Sequence, residues 1–152
     1  TYPGRREELL ALQTQLLAQV DQTVIPLRSA TLTTTLSRLM ESLRRDHAYH
    51  AQGDGSVRFL LTGAAASSEG LALALALYCQ RLELTCQVVE GTRDGVTHFW
   101  TVVETQDGFR HLDPSLESAQ FYTDGELAQL NYLWDTAAVP ACAGDEGPEA
   151  AP

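Results

Sequence analysis

Apolar residues recur at helical spacing in the first part of the chain. Leu9, Leu12, Leu16 and Val20 share one face of a helix predicted over residues 5–20, and Glu7 and Glu8 suit the positive field at its start. Pro26 breaks the pattern within residues 23–28. Leu32, Leu36, Leu39, Met40 and Leu43 mark a second helix over about 31–45. Its three successive threonines lower intrinsic propensity, so packing must hold it, while Arg44 and Arg45 suit the negative field at its end. Residues 52–56 read as a loop, and residues 57–61 are apolar but too short to separate strand from helix. A third helix over 68–82 is apolar on nearly every face, which predicts an element enclosed on several sides.

From Cys86 onward the period falls to two. Residues 86–90, 97–104 and 109–112 read as strands, joined through 92–95 and the Asp107-Gly108 turn. Tight turns between consecutive strands imply antiparallel pairing. The expected class is α+β, with N-terminal helices and a central buried helix packed on a small antiparallel sheet. Beyond Pro114 the chain is irregular until Thr123-Asp124-Gly125-Glu126, whose spacing is that of a capping box opening a short helix to about Tyr132. The length suits one domain over 1–142, with a helical part at 1–50 and a core at 57–140. Residues 143–152 hold Gly, Pro, Ala and acid and read as a disordered tail.

Charge narrows the partners. The formal net charge is −10, all ten basic residues are scattered arginines, and the chain has no lysine. No basic stripe is available for a nucleic acid. No apolar run is long enough to span a membrane, and none reads as a signal peptide. Of the three cysteines, Cys79 falls in the apolar helix as a buried thiol, while Cys86 and Cys142 are a possible disulfide pair in an exported protein. No cysteine or histidine spacing matches a zinc site, and His47 and His50 read as surface residues at a helix end and loop.

Three positions carry candidate chemistry: Ser68 at a helix start, His98 inside a strand and Asp113 closing the next one. Together they supply a hydroxyl, an imidazole and a carboxylate, the parts of a nucleophile, its base and the group that orients the base. Each also has a plain structural reading. Ser68 suits a helix N-cap, His98 a half-buried strand histidine, and Asp113 before Pro114 a turn. His111 reads as a surface residue near a strand end, Trp100 as core or as a groove wall, and Glu69 as a favourable first-turn residue.

In context, these segments resemble the transglutaminase-like superfamily, whose core is papain-like. Ser68-Glu69-Gly70-Leu71-Ala72 is similar to its Cys-x-Gly-Tyr-Ala segment, His98-Phe99-Trp100 to its His-Ala-Trp-Asn strand, and Gly108 to Asp113 to its Gly-x-Trp-x-x-x-Asp stretch. The Gly91 turn before the histidine strand and the segment from Phe121 to Cys142 fit bacterial members. The resemblance covers roughly residues 30–140 and favours a helical turn at 57–61. It implies a catalytic set of Ser68, His98 and Asp113, a substrate groove touched by Trp100 and Glu69, a peptide or protein ligand, no cofactor, and an extracellular or cell-surface setting. It leaves the oligomeric state open.

The departure is the nucleophile. A helix N-terminus and a neighbouring histidine favour a thiolate, whereas a serine hydroxyl gains little there and needs a base aligned to take its proton. Three readings follow. The first is a catalytically inactive domain whose groove binds peptide or glycopeptide. The second is an acyl transferase or amide hydrolase using Ser68. The third is a cysteine enzyme silenced by a Cys-to-Ser substitution.

Overall fold

The structure is a computed structural model and describes residues 3–143. Helix α1 (Pro3–Val24) runs longer at both ends than its periodicity suggests, and a 3-10 turn at Ile25–Leu27 absorbs Pro26. Helix α2 (Leu32–Asp46) is capped by Thr31, whose hydroxyl accepts the Thr34 N–H. It buries Leu36, Leu39, Met40 and Leu43, as its spacing predicts. Thr35, one of the residues that weaken the helix, is also a tie. Its hydroxyl donates to the Thr31 carbonyl at 2.9 Å and accepts from Ser29 N–H at 2.9 Å.

Segment β1 (Tyr49–Asp54) replaces the expected loop. Tyr49 and Asp54 both bridge to Ala66, so the residues between them bulge outward. A short helix α3 (Phe59–Thr62) follows, and then the central helix α4 (Ser68–Arg81). The start of α4 is locked to the end of β1: Ser67 N–H donates to the Asp54 carbonyl at 3.0 Å. Gly70 makes this approach possible, because a side-chain carbon there would lie 2.2 Å from that carbonyl oxygen.

Strands β2 (Cys86–Arg93), β3 (Val96–Thr105), β4 (Gly108–Leu112) and β5 (Tyr132–Leu133) form one antiparallel sheet in the order β4-β3-β2-β5. The turn between β2 and β3 is Asp94-Gly95, with Arg93 opposite Val96. The two-residue strand β5 was not anticipated. It pairs with the end of β2, where a side chain at Gly91 would meet both the Leu133 carbonyl and the Trp100 ring. Thr123 caps helix α5 (Asp124–Ala128) with the expected capping box, although the helix stops before Tyr132.

The sheet divides the interior into two layers. On one side α1, α2, α3 and α4 pack Val20, Leu36, Leu39, Phe59, Leu71 and Leu75 against Val103 and Leu112. On the other, residues following β4 cover Val89, Trp100 and Val102 with Leu127, Tyr132 and Cys142. This division separates Cys86 from Cys142. All three cysteines are free, so the pairing considered from sequence does not form. The expected loose end falls at residues 144–152, outside the described ones, apart from Ala143. Among the described residues no helix is long and apolar enough to cross a membrane.

Candidate functional site

The site lies where α4 begins and β4 ends. Strand β4 stops at Leu112, opposite Thr101, which leaves the preceding part of β3 without a strand neighbour on that side. Ser68 meets this open edge: its Oγ accepts the backbone N–H of Phe99 at 3.2 Å. The helix cap is the neighbouring residue, because Ser67 Oγ accepts from Gly70 N–H. Ser68 is therefore the first helical residue and not the N-cap, and its hydroxyl is free to face β3.

His98 and Asp113 come together as a buried pair. His98 Nε2 lies 2.8 Å from Asp113 Oδ2, and the two residues are 6% and 1% exposed. Two further residues complete the carboxylate's partners. Tyr132 O–H donates to Oδ2 at 2.6 Å, while Ser115 donates to Oδ1 from its backbone N–H at 2.9 Å and its hydroxyl at 2.7 Å. The Ser115 oxygen also lies 3.2 Å from His98 Nε2. Burial alone would raise the Asp113 carboxyl, but the bonds from His98, Tyr132 and Ser115 outweigh it and hold the group below the usual aspartate value. Burial first, and the Asp113 charge second, push the Tyr132 phenol well above its ordinary value, so it remains a donor.

These partners fix the imidazole's orientation. Nε2 faces an ionised carboxylate and carries the proton in the neutral ring, which leaves Nδ1 with its lone pair available to act as a base. The bonded line expected from Ser68 through His98 to Asp113 is thus present in its second half. In the first half the serine oxygen accepts from Phe99 N–H, and no hydrogen bond joins its hydroxyl to the imidazole.

The space beside Ser68 is an open groove of about 400 Å³ lined by Ala51, Gln52, Gly53, Gly55, Ser67, Ser68, Glu69, Thr97 and Phe99. Its walls are mostly polar side chains and backbone. Glu69 does line it. Trp100 does not: it is 0% exposed, with no surface for a ligand, because strand alternation directs it with His98 into the covered layer. There it packs edge-on against Tyr132, at 5.1 Å between ring centroids. A larger apolar groove of about 480 Å³ between α1 and α3 shares no residue with this site.

Beneath Trp100 runs a second polar chain. Trp100 Nε1 donates to His111 Nδ1 at 3.0 Å, and His111 Nε2 lies 2.7 Å from Asp124 Oδ1. His111 is fully buried, against the expected surface position, because residues far along the chain, Trp134 among them, close over β4. Burial lowers its basicity, and the bond to Asp124 partly offsets this. His111, Asp124 and Cys142 place metal-type ligand atoms within 4.8 Å of one another. The indole N–H can only donate, so His111 Nδ1 must accept and Nε2 must carry the proton given to Asp124. No imidazole lone pair is left for a metal, and the group reads as a brace for Trp100.

Ser115 and Tyr132 escaped the sequence reading. Ser115 follows Asp113 by two positions, the spacing of a side chain that turns back on its own backbone, which is a detectable signal. Tyr132 has none, because it arrives on a two-residue strand. Replacing Tyr132 with phenylalanine removes one donor to a charged acceptor and should cost about 1.5–3 kcal/mol. Urea unfolding measures it, and a loss below roughly 0.5 kcal/mol would be inconsistent with a phenol held by the carboxylate.

This is the α+β fold of transglutaminase-like and papain-like cysteine-protease structures. A transglutaminase superposes with a TM-score of 0.58 at 18% sequence identity, over 71% of this chain and 32% of that one. A candidate cysteine protease from Cytophaga hutchinsonii superposes at 0.55 and 12% identity, over 71% of this chain and 40% of that one. The chain therefore spans only 32% to 40% of the length of these solved structures. No family model matches it, and no curated protein matches it by sequence.

Proposed function

We propose that this is a catalytically inactive transglutaminase-like domain that binds a peptide or glycopeptide in the groove over Ser68. The observation that carries the reading is the serine's hydrogen bond. Its oxygen accepts from Phe99 N–H, while His98 is engaged through Nε2 with Asp113. A hydroxyl must be deprotonated as it attacks, and one not bonded to its base lacks that assistance. The open groove, with Glu69 and backbone groups of β1 on its walls, supports the binding role.

The buried His98–Asp113 pair favours a second reading. A base of this kind serves an acyl transferase or amide hydrolase, either through Ser68 itself or through a cysteine whose place Ser68 has taken. Labelling separates the readings. Wild-type protein exposed to a fluorophosphonate should keep its intact mass. A Ser68→Cys variant treated with iodoacetamide should be alkylated at residue 68 ahead of Cys79 and Cys142, as peptide mapping will show. A stoichiometric fluorophosphonate adduct on Ser68 would establish a serine enzyme and overturn the binding reading. An unreactive thiol at position 68 would show that His98 does not serve that position.

A further inference from the structure

At the other end of α4, Cys79 and Cys86 form a thiol pair outside the site just described. Cys79 lies on the helix and is fully buried, while Cys86 opens β2 and is half-buried. Cys79 sits in the core that α4 builds, and Cys86 packs against that core. Two other contacts hold them in place. Leu84 N–H donates to the Cys79 carbonyl at 2.8 Å, returning the chain to Cys79 just before Cys86. Cys86 Sγ also lies 3.7 Å from the carbonyl of Ala76, one turn before Cys79 on α4.

The two sulfurs differ in access. An open cavity of about 520 Å³, lined by Ala76, Gln80, Glu83, Leu84, Thr85 and Cys86, reaches Cys86 and not Cys79. The neighbouring Cys79 thiol favours the Cys86 thiolate over the opposing effect of burial. Cys86, with burial second, pushes the Cys79 thiol up. One thiol within reach of a cavity that ionises first, backed by a buried partner, is the arrangement that stepwise thiol–disulfide exchange requires.

We propose that Cys86 and Cys79 are a dithiol modification site that is oxidised by a low-molecular-weight disulfide entering this cavity. Cys86 gives its proton to water and its thiolate attacks one sulfur of the incoming disulfide. That S–S bond breaks and one small thiolate leaves, taking up a proton. Cys79 then loses its proton to water and attacks Cys86 Sγ, releasing the second small thiol. In net terms two protein thiols become one disulfide, and one small disulfide becomes two thiols. The new bond would tie the end of α4 to the start of β2.

The test uses the folded chain and oxidised glutathione. Intact mass should fall by two hydrogens, and cleavage after Arg81 under non-reducing conditions should leave the peptides carrying Cys79 and Cys86 joined. Cys79→Ser should accumulate a lasting glutathione adduct on Cys86, because nothing resolves it. Cys86→Ser should stay unmodified over the same period. Cys142, in the other layer with its thiol pushed up to about 12 by burial and then by Asp124, is the internal control and should remain free. Wild-type protein that keeps three free thiols overturns the proposal, as does one that stops at a mixed disulfide or reacts first at Cys142. The wild-type result alone decides the matter if either variant fails to fold.

Discussion

Replacing Asp113 with alanine should cost about 3–5 kcal/mol of folding stability, because several buried donors lose an ionised acceptor whose hydrogen bonds are worth about 1.5–3 kcal/mol each. The carboxylate is the common acceptor for His98 Nε2, Tyr132 O–H, Ser115 N–H and Ser115 O–H. Alanine would leave those groups without their acceptor in a site 1% exposed. Against a total of about 5–15 kcal/mol for an ordinary domain, that is a large share. The loss also has a pH signature. The folded-state carboxyl lies below its ordinary value, so its stabilising contribution is complete above the unfolded aspartate value, near pH 4. It is lost as pH falls through the lower folded value. Wild-type and Asp113→Ala proteins should therefore differ most at neutral pH and converge in acid. Urea midpoints at pH 7 and at pH 3 measure the difference. Equal gaps at the two pH values would mean that the carboxylate is not ionised and bonded as described.

How much of this was legible depends on distance along the chain. The face of α2, the enclosed α4, the hairpins and the Thr123 capping box rest on neighbours a few residues apart, and local periodicity exposes them. The residues that meet at the site were legible only through their resemblance to a known pattern, since no local rule links position 98 to position 113. Adjacent serines at 67 and 68 are equivalent to a capping rule. Only the approach of Asp54 to the start of α4 assigns the cap to Ser67 and turns Ser68 toward β3. His111 and Trp100 were misplaced for one reason: their cover, through Tyr132 and Trp134, comes from a stretch with no period to read. The disulfide considered for Cys86 and Cys142 fails on the same ground, because sequence does not show which face of a sheet a late segment covers.

Trp100 gives the second large effect and separates packing from hydrogen bonding. Trp100→Ala should cost about 3–5 kcal/mol, because the ring is fully buried and its removal opens a cavity between β3 and the C-terminal cover. It also strips His111 Nδ1 of its only donor among the described residues and removes the ring packed beside His98. Trp100→Phe keeps much of the apolar volume but not the indole N–H. Its cost should be smaller, about 1–3 kcal/mol, dominated by a buried acceptor left unpaired. Nδ1 is then left without its donor, while Nε2 keeps its bond to Asp124. Nitrogen-15 NMR of His111 should show Nε2 protonated in both proteins, with the Nδ1 signal shifted in Trp100→Phe by the loss of the indole bond. Because His98 keeps Asp113 and Ser115 in this variant, its own ring signals should stay near their wild-type positions. An Nδ1 signal indifferent to the substitution would mean that the indole does not bond it. A wild-type His111 protonated at Nδ1 would instead leave Nε2 free to offer a lone pair toward Asp124 and Cys142, and the argument against a metal among those three residues would fall with it.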